Sequence, residues 1–313
     1  MLTSFCNTFG CEVPRLVLGT WQLGGAYRFG GKPDGLGAMS ESTAHALLAR
    51  AYRGGIRVFD TADIYGLGSV EPMLARLPGD TFVITKFGNR GTAEERGKDF
   101  SRTYLVECLE RSTYRLARVP DLVLMHNPPL SFDFGRLASL ELEALRRDAL
   151  LEGFGVSCTS VAQACDAIEH DAVQAVEVNF NLLDRRARDS LFARATSLGK
   201  DVLSRAPYCS GFLTERFVER DHEFGVDDRR STTQPEDRHW RVEAARRIAC
   251  GLDTSGIAEI ALRFALSFSE LVVFGCRSVE QLETNLAYAR KGPLDRVTLE
   301  AIEAIDLGSN PCW

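Results

Sequence analysis

Four residues able to move or steady a proton occur in the first half of the chain: Asp60, Tyr65, Lys86 and His126. A phenol with an ordinary pKa of about 10 is a poor acid–base group at neutral pH. A neighbouring ammonium favours the phenolate and lowers that pKa. Lys86 would supply the ammonium, and Asp60 would keep it charged and oriented. His126 would donate to a developing oxyanion and fix its direction. Such a set suits a carbonyl that receives a hydride, because its oxygen then takes on alkoxide character and needs a proton. No side chain supplies a hydride, so the chemistry requires a bound cofactor. Each residue also has an ordinary structural use. Asp60 could cap a turn, Lys86 could be a solvated loop lysine, and His126 could be a core histidine bonded to the turn at Asn127-Pro128-Pro129. The joint occurrence favours chemistry, since buried acids, bases and phenols gather where they are used.

These groups lie far apart in sequence, so elements must carry them to one place. Short apolar runs alternate with helix-period segments. Strands are predicted at Leu16–Gly19, Ile56–Asp60, Thr81–Lys86, Leu122–His126, Gly153–Ser157, Ala175–Asn179, Asp201–Ala206 and Glu270–Phe274. Ala44, Leu47, Leu48 and Ala51 mark the helix that follows Ser42. Leu105, Cys108, Leu109 and Leu116 mark another from Ser101 to about Ala117. Further helices are predicted at 137–151, 162–169, 186–198, 241–251, 257–268 and from Ser278. Eight strand–helix units with no halfway reversal favour a closed α/β (β/α)₈ TIM barrel over an open doubly wound sheet. Its active site lies at the C-terminal ends of the strands, where Asp60, Lys86 and His126 stand. The segment 3–15 reads as an N-terminal β-hairpin capping the barrel floor. Long loops rise on the C-terminal side, at 24–37 and 211–238. Residues 1–313 read as one domain with no linker.

Composition is that of a globular enzyme, with 45% hydrophobic and 26% charged residues. The net charge of −6 argues against a nucleic-acid partner. No apolar stretch approaches the roughly 20 residues of a membrane span, and no signal peptide is evident at the start. Nine cysteines without a C-x-x-C pair read as reduced thiols of a cytoplasmic protein, with Cys158 and Cys209 nearest the candidate site. The five histidines, His45, His126, His170, His222 and His239, show no zinc spacing, so no metal is expected. Gly155-Val156-Ser157-Cys158-Thr159 fails the G-x-S-x-G elbow at its last position.

Eight segments in order along nearly the whole chain resemble the aldo/keto reductase superfamily. They are LVLGTWQ (16–22), FDTADIYG (59–66), VITKFG (83–88), LVLMHNP (122–128), GFGVS (153–157), NFNLLDR (179–185), PYCSGFLT (207–214) and FGCRSVEQLETNL (274–286). The resemblance implies Asp60, Tyr65, Lys86 and His126 as the catalytic tetrad. It implies a nicotinamide cofactor and a small-molecule carbonyl or alcohol substrate, and it leaves the oligomeric state unknown.

No G-x-G-x-x-G follows the first strand, and the glycines of 24–37 are no P-loop. Barrels often bind phosphate after strands seven and eight, at a helix N-terminus. Gly275-Cys276-Arg277-Ser278 stands there. Ser278 and Gln281 also make an S-x-x-Q capping box, which can coexist with a phosphate. By resemblance Gly275, Arg277, Ser278, Gln281 and Asn285 hold the 2′-phosphate end, which favours NADP(H) over NAD(H). Arg277 is a fork suited to a phosphomonoester, and Arg216 would reach the pyrophosphate or stay solvated. The nicotinamide end matches at Gly19, Thr20, Trp21, Ser157, Arg205 and the loop 207–213, which holds Pro207, Tyr208, Ser210, Gly211 and Leu213. Trp21, Tyr65, His126 and Tyr27, with Phe29, would line the substrate.

Three positions depart from the family pattern: Cys158 replaces an asparagine, Glu177 a glutamine, and Thr284 a glutamate facing adenine. Glu177 can accept from a carboxamide but cannot donate. A negative charge there favours the positively charged oxidised ring. Glu177→Gln is therefore expected to lower the ratio of NADP⁺ to NADPH affinity, and an unchanged ratio measured by fluorescence titration would remove that hint. Two other readings remain open on the sequence. One is a cofactor-binding redox sensor or regulatory subunit with slow turnover. The other is a biosynthetic reductase whose long segment 216–238 shapes a site for one large intermediate.

Overall fold

The computed structural model describes residues 2–219, 223–254 and 256–309. Eight parallel strands close into a barrel in sequence order. We number them β1 (Leu16–Gly19), β2 (Val58–Asp60), β3 (Phe82–Phe87), β4 (Leu122–His126), β5 (Gly153–Ser157), β6 (Ala175–Asn179), β7 (Asp201–Arg205) and β8 (Leu271–Phe274). β8 pairs with β1 and completes the ring. The fold is the expected (β/α)₈ barrel.

Alternation along the strands divides the core in two. Leu16, Leu18, Phe59, Val83, Phe154, Val176 and Phe274 belong to the large cluster shared with the helices. Val17, Val58, Ile84, Leu124, Ala175, Leu203 and Val273 form a second cluster inside the barrel. Two residues further along each strand comes the next inward layer, at the barrel mouth: Gly19, Asp60, Lys86, His126, Ser157, Glu177, Arg205 and Gly275. Register pairs Gly19 with Asp60, His126 with Ser157 and Ser157 with Glu177, and steps by two residues where Asp60 meets Ile84, Lys86 meets Leu124, Glu177 meets Leu203 and Arg205 meets Val273.

Helices begin where side chains cap them. Ser40 accepts from Thr43 N ahead of Glu41–Arg53, and Ser101 accepts from Tyr104 N ahead of Arg102–Leu116. The apolar faces expected on both helices are buried. The hairpin Thr3–Cys6 and Cys11–Pro14 does close the floor. Its turn amides, Asn7 N and Thr8 N, donate to Asp201 at the start of β7, at 3.1 and 2.7 Å. Phe9 stacks on Phe82 at 4.5 Å.

Several connections differ from expectation. The helix expected at 137–151 divides into a 3₁₀ turn, Phe134–Leu140, and a short helix, Leu142–Arg147, because Glu141 between them is left-handed at φ 52°. The segment from 186 opens with a π turn at Arg188–Phe192. The helix expected from Arg241 starts earlier, at Pro235, whose missing N–H costs nothing in the first turn. The connection 211–238 is not structureless, since it carries a helix, Glu215–Glu219, and a 3₁₀ turn, Arg229–Thr232. The glycine loop holds a small hairpin, Arg28–Phe29 with Lys32–Pro33. Phe29 is buried beneath the guanidinium of Arg96, so it packs the loop and does not face the mouth. Among the described residues no helix is long and apolar enough to cross a membrane. His222, and Cys312 among the nine cysteines, lie outside the described residues.

Candidate active site

The four proton-handling residues meet at the mouth. Lys86 Nζ donates to both carboxylate oxygens of Asp60 at 2.5 Å and to the carbonyl of Thr61 at 3.0 Å. Its ammonium lies 5.4 Å from the ring centre of Tyr65. The Tyr65 and His126 rings meet edge to face at 5.8 Å. Lys86 is 1% exposed and Asp60 3%, so this ion pair sits in a medium where charges act strongly on one another.

The loop that carries Tyr65 is fixed from several sides. Thr61 N pairs with Ile84 O and Asp63 N with Lys86 O, extending β2 past its last strand residue. Arg111 and Arg115, on the helix Arg102–Leu116, bond the Asp63 carboxylate and the Asp63 carbonyl. Gly66 turns left-handed at φ 58°, and a Cβ there would strike Ser69 Oγ. The loop therefore needs glycine at this point.

Electrostatics separate the roles. Burial pushes the Tyr65 phenol up to about 12, while Lys86 pulls it down. The sequence points to a dominant lysine, but desolvation outweighs it. Burial, then Lys86, Arg205, Lys98 and Arg229, hold His126 well below its ordinary range, so it is a neutral imidazole near pH 7. Its Nδ1 is buried with no hydrogen-bond partner among the described residues. Lys86 stays charged, because Asp60 and Glu177 outweigh the cost of burial. Burial works against the Glu177 carboxylate, but Lys86 and Arg205 overcome it and hold it below the usual range. The Asp60 carboxyl is raised by burial and by Glu177, against the pull of Lys86.

Residues placed here by resemblance fall into three groups. Glu177 and Arg205 join these four residues, Glu177 at Lys86 and Arg205 at Glu177. Glu177 is 2% exposed, with Oε2 3.3 Å from Lys86 Nζ and Oε1 3.4 Å from Arg205 Nε. Ser157 Oγ donates to Glu177 Oε1 at 3.2 Å. Arg205 also donates to the Cys158 carbonyl at 2.8 Å. Cys158 turns its thiol into the core, where burial pushes it up to about 12, so it cannot stand in for an amide side chain. Thr20 is locked onto β2, its N and Oγ1 both donating to Asp60 O.

A second group lines the entrance. Trp21 Nε1 donates to Tyr27 OH and to Asp34 O, both at 3.2 Å. Arg229 covers the Trp21 ring at 5.6 Å and pairs with Asp34. Gly19 is pressed against β8, where a Cβ would lie 3.1 Å from Val273.

The third group lies beyond β7 and β8. Ser278 caps the helix Val279–Arg290 by accepting from Gln281 N, and Gln281 Oε1 accepts from Arg277 N at 2.8 Å. Half of the expected capping box is formed, the Gln281 side chain reaching past the Ser278 amide to that of Arg277. Arg277 Nη2 donates to Ala38 O, while Nε is buried with no hydrogen-bond partner among the described residues. Burial and the charges of Arg230 and Arg216 lower the Arg277 guanidinium against the opposing pull of Asp228. Asp228 is already paired with Arg230 at 2.6 Å. Arg230 and Arg277 thus act on one carboxylate, with the charge of Arg216 also felt at Arg277, and this positive surface suits an anion. Asn285 is buried and accepts from Tyr208 OH, which ties the loop 207–213 to this helix. Pro207 and Leu213 are buried, whereas Ser210 is exposed and its carbonyl accepts from Arg230. Arg216 is exposed beside Phe217. Thr284 is exposed and bonds the Glu280 carbonyl of its own helix.

Sequence reasoning missed Asn127 and Arg230. Asn127 continues β4 beyond His126 in a left-handed turn (φ 53°), and its Oδ1 accepts from Ser157 and Arg205. Its position next to His126 and before Pro128 was the available signal. Arg230 arrives from the long connection, where one arginine among many acids and arginines carries no local mark. No cluster of metal-binding side chains occurs among the described residues.

The model of the Aldo/keto reductase family matches residues 15–307. An uncharacterized oxidoreductase of Mycobacterium tuberculosis is 28% identical over 300 residues, covering 89% of this chain and 85% of its own. L-galactose dehydrogenase of Arabidopsis thaliana is 26% identical over 308 residues, covering 90% of each chain. Among solved structures, the glycerol dehydrogenase AKR11B4 of Gluconobacter oxydans superposes with a TM-score of 0.78 at 23% identity, covering 96% of this chain and 94% of that one. The holo form of aldo-keto reductase AKR11C1 from Bacillus halodurans gives 0.79 at 20% identity, covering 100% and 99%. These two superpositions concern the fold.

Proposed function

The chain belongs to the aldo/keto reductase family, and from that premise we propose an NADP(H)-dependent oxidoreductase that interconverts a small carbonyl compound and its alcohol. The observation that carries this reading is the Lys86 ammonium, held by Asp60 at 2.5 Å and lying against the Tyr65 ring, which His126 meets edge-on.

The bound nicotinamide would supply or accept the hydride. The chain's own residues do the rest. Tyr65 gives its proton to the substrate oxygen in reduction and takes it back in oxidation. Lys86 stabilises the phenolate this leaves. Neutral His126 orients the oxygen by a hydrogen bond and adds no charge of its own. Trp21 and Tyr27 form the substrate wall. Arg205, Ser157 and the loop 207–213 would face the nicotinamide half, and Gly275 and Ser278 would present backbone and cap to the phosphates.

The residues beyond β8 fit a phosphorylated cofactor. Arg230 and Arg277 both act on Asp228, the charge of Arg216 is felt at Arg277, and Arg277 Nε is buried with no hydrogen-bond partner among the described residues. Arg277→Ala is expected to weaken NADPH about tenfold or more, as the loss of a charge-assisted bond implies. NADH affinity should stay within about twofold. Equal losses for both cofactors, read by fluorescence titration, would place the 2′-phosphate elsewhere.

The test of the function is NADPH absorbance with a panel of aldehydes, ketones and aldoses, run also with NADP⁺ and sugars or polyols. The likeness to L-galactose dehydrogenase puts sugars first in the oxidative arm. Repeated turnover supports the reading. Cofactor binding with no turnover across both arms would overturn it.

A further inference from the structure

We propose that Glu177 is a positioning residue that shares Lys86 with Asp60 and thereby sets the pH at which Tyr65 exchanges its proton. The inference rests on the reading of Tyr65 as the proton donor.

The geometry has an unusual feature. Lys86 Nζ faces two carboxylates, Asp60 from β2 and Glu177 from β6 across the mouth, at 2.5 and 3.3 Å. Both are buried in the same inward layer. Glu177 is held there by Arg205 at 3.4 Å and Ser157 at 3.2 Å, so it cannot swing away from the lysine. An uncharged glutamine would leave the ammonium with one counter-charge.

The consequence follows from charge. Lys86 favours the phenolate, and each carboxylate near it opposes that effect. Every ionisable group facing Tyr65 belongs to one set. Lys86 and Arg205 lower the phenol, while Asp60 and Glu177 raise it. Neutral His126 contributes no charge. Tyr27, bonded to Asp34, lies nearby and is itself raised by burial. Lys98 and Arg229 complete the cationic side at His126, with Arg229 paired to Asp34. Cys158, beside Glu177, stays a neutral thiol. Within this set Glu177 adds no atom to the reaction. It withholds part of the lysine's charge from the tyrosine, so that the phenol keeps its proton to higher pH.

The sign is fixed by this account. Reduction needs the protonated phenol and declines as pH rises through its pKa. Oxidation needs the phenolate and grows over the same range. Glu177→Gln should therefore move the alkaline limb of reduction and the acid limb of oxidation downward together, by about one pH unit, which corresponds to about 1.4 kcal/mol. Glu177→Asp, which keeps the charge, should restore the parent profile. Arg205→Gln removes a cation on the other side of Glu177 and should move both limbs upward.

The experiment is the set of pH profiles of kcat in both directions for the parent and these three variants. Beside it runs a direct titration of Tyr65 in the cofactor-free proteins. That titration uses the tyrosinate absorbance band, subtracting the same variant carrying Tyr65→Phe. Opposed shifts for Glu177→Gln and Arg205→Gln support the proposal. Limbs that stay in place while kcat falls at every pH would overturn it and leave Glu177 as packing. If Glu177→Gln does not fold, Arg205→Gln and Glu177→Asp decide alone. Absence of turnover with a shifted Tyr65 titration would instead count against the proposed function.

Discussion

Replacing Tyr65 by Phe is expected to lower kcat for carbonyl reduction by about 10²–10⁴-fold, the usual worth of a positioned acid–base group. The substitution isolates chemistry from architecture. Phenylalanine keeps the ring that lies over Lys86 at 5.4 Å and meets His126 at 5.8 Å. The loop is fixed through its backbone and through Asp63, which the change does not touch. Only the hydroxyl is lost. Cofactor affinity should stay within about twofold, because the residues proposed for the phosphates lie beyond β8. Steady-state NADPH oxidation with the best carbonyl of the panel, alongside fluorescence titration of the cofactor, separates the two quantities. A variant retaining more than about a third of parental kcat would mean that the proton comes from another donor. His126 would then be the nearest candidate, and its lowered pKa makes it a poor one near pH 7.

The layer that holds this chemistry is partly legible in the sequence itself. Strand–helix alternation points to the barrel, and the strand ends point to Asp60, Lys86 and His126. The same parity carries more. Val17, Val58, Ile84, Leu124, Ala175, Leu203 and Val273 face inward, and counting two residues on reaches Glu177 and Arg205 without any resemblance. In the sequence those two stand out only through the family pattern, as contacts to the nicotinamide. The pairing of Glu177 with Lys86 depends on how far β6 stands from β3 across the mouth, and Arg205 enters through its own pairing with Glu177. Arg230 is beyond reach for another reason. Its partners, Asp228 and the Ser210 carbonyl, depend on how a connection of irregular shape returns over the barrel, and no periodicity encodes that path. Glu141 shows the limit locally: a helix-period pattern runs through it, while its left-handed backbone divides the segment in two.

Removing the ammonium itself should show what the buried charges cost. Lys86→Met removes the cation that Asp60 and Glu177 share and leaves these two contacting carboxyl groups with Arg205, beside Glu177, as their neighbouring cation, and both are almost wholly buried. Breaking a buried ion pair by deleting one partner typically costs about 3–5 kcal/mol, a large share of the stability of an ordinary domain. The penalty should depend on pH in a definite direction. In the variant the two carboxylates have folded-state pKa values raised above those of the unfolded chain, by burial and by their mutual repulsion. The folded state then binds more protons than the unfolded state across the interval between, so stability falls as pH rises through it and recovers as pH drops. In the parent the Asp60 carboxyl is raised in the same sense, but Lys86 opposes that rise and is itself raised by Asp60 and Glu177. The lysine's contribution is fully present below the ordinary lysine pKa and is lost only at strongly alkaline pH. Thermal unfolding between about pH 5 and pH 8 should therefore show a deficit in Lys86→Met that is greatest at the alkaline end and shrinks towards pH 5. Adding Asp60→Asn should restore part of the loss at pH 8 and little at pH 5, since one of the two facing charges is then gone. A Lys86→Met protein that unfolds at the parent's midpoint at pH 8 would mean that water or a shared proton already relieves the carboxylates. In that event the lysine would serve the chemistry alone, without holding the mouth together.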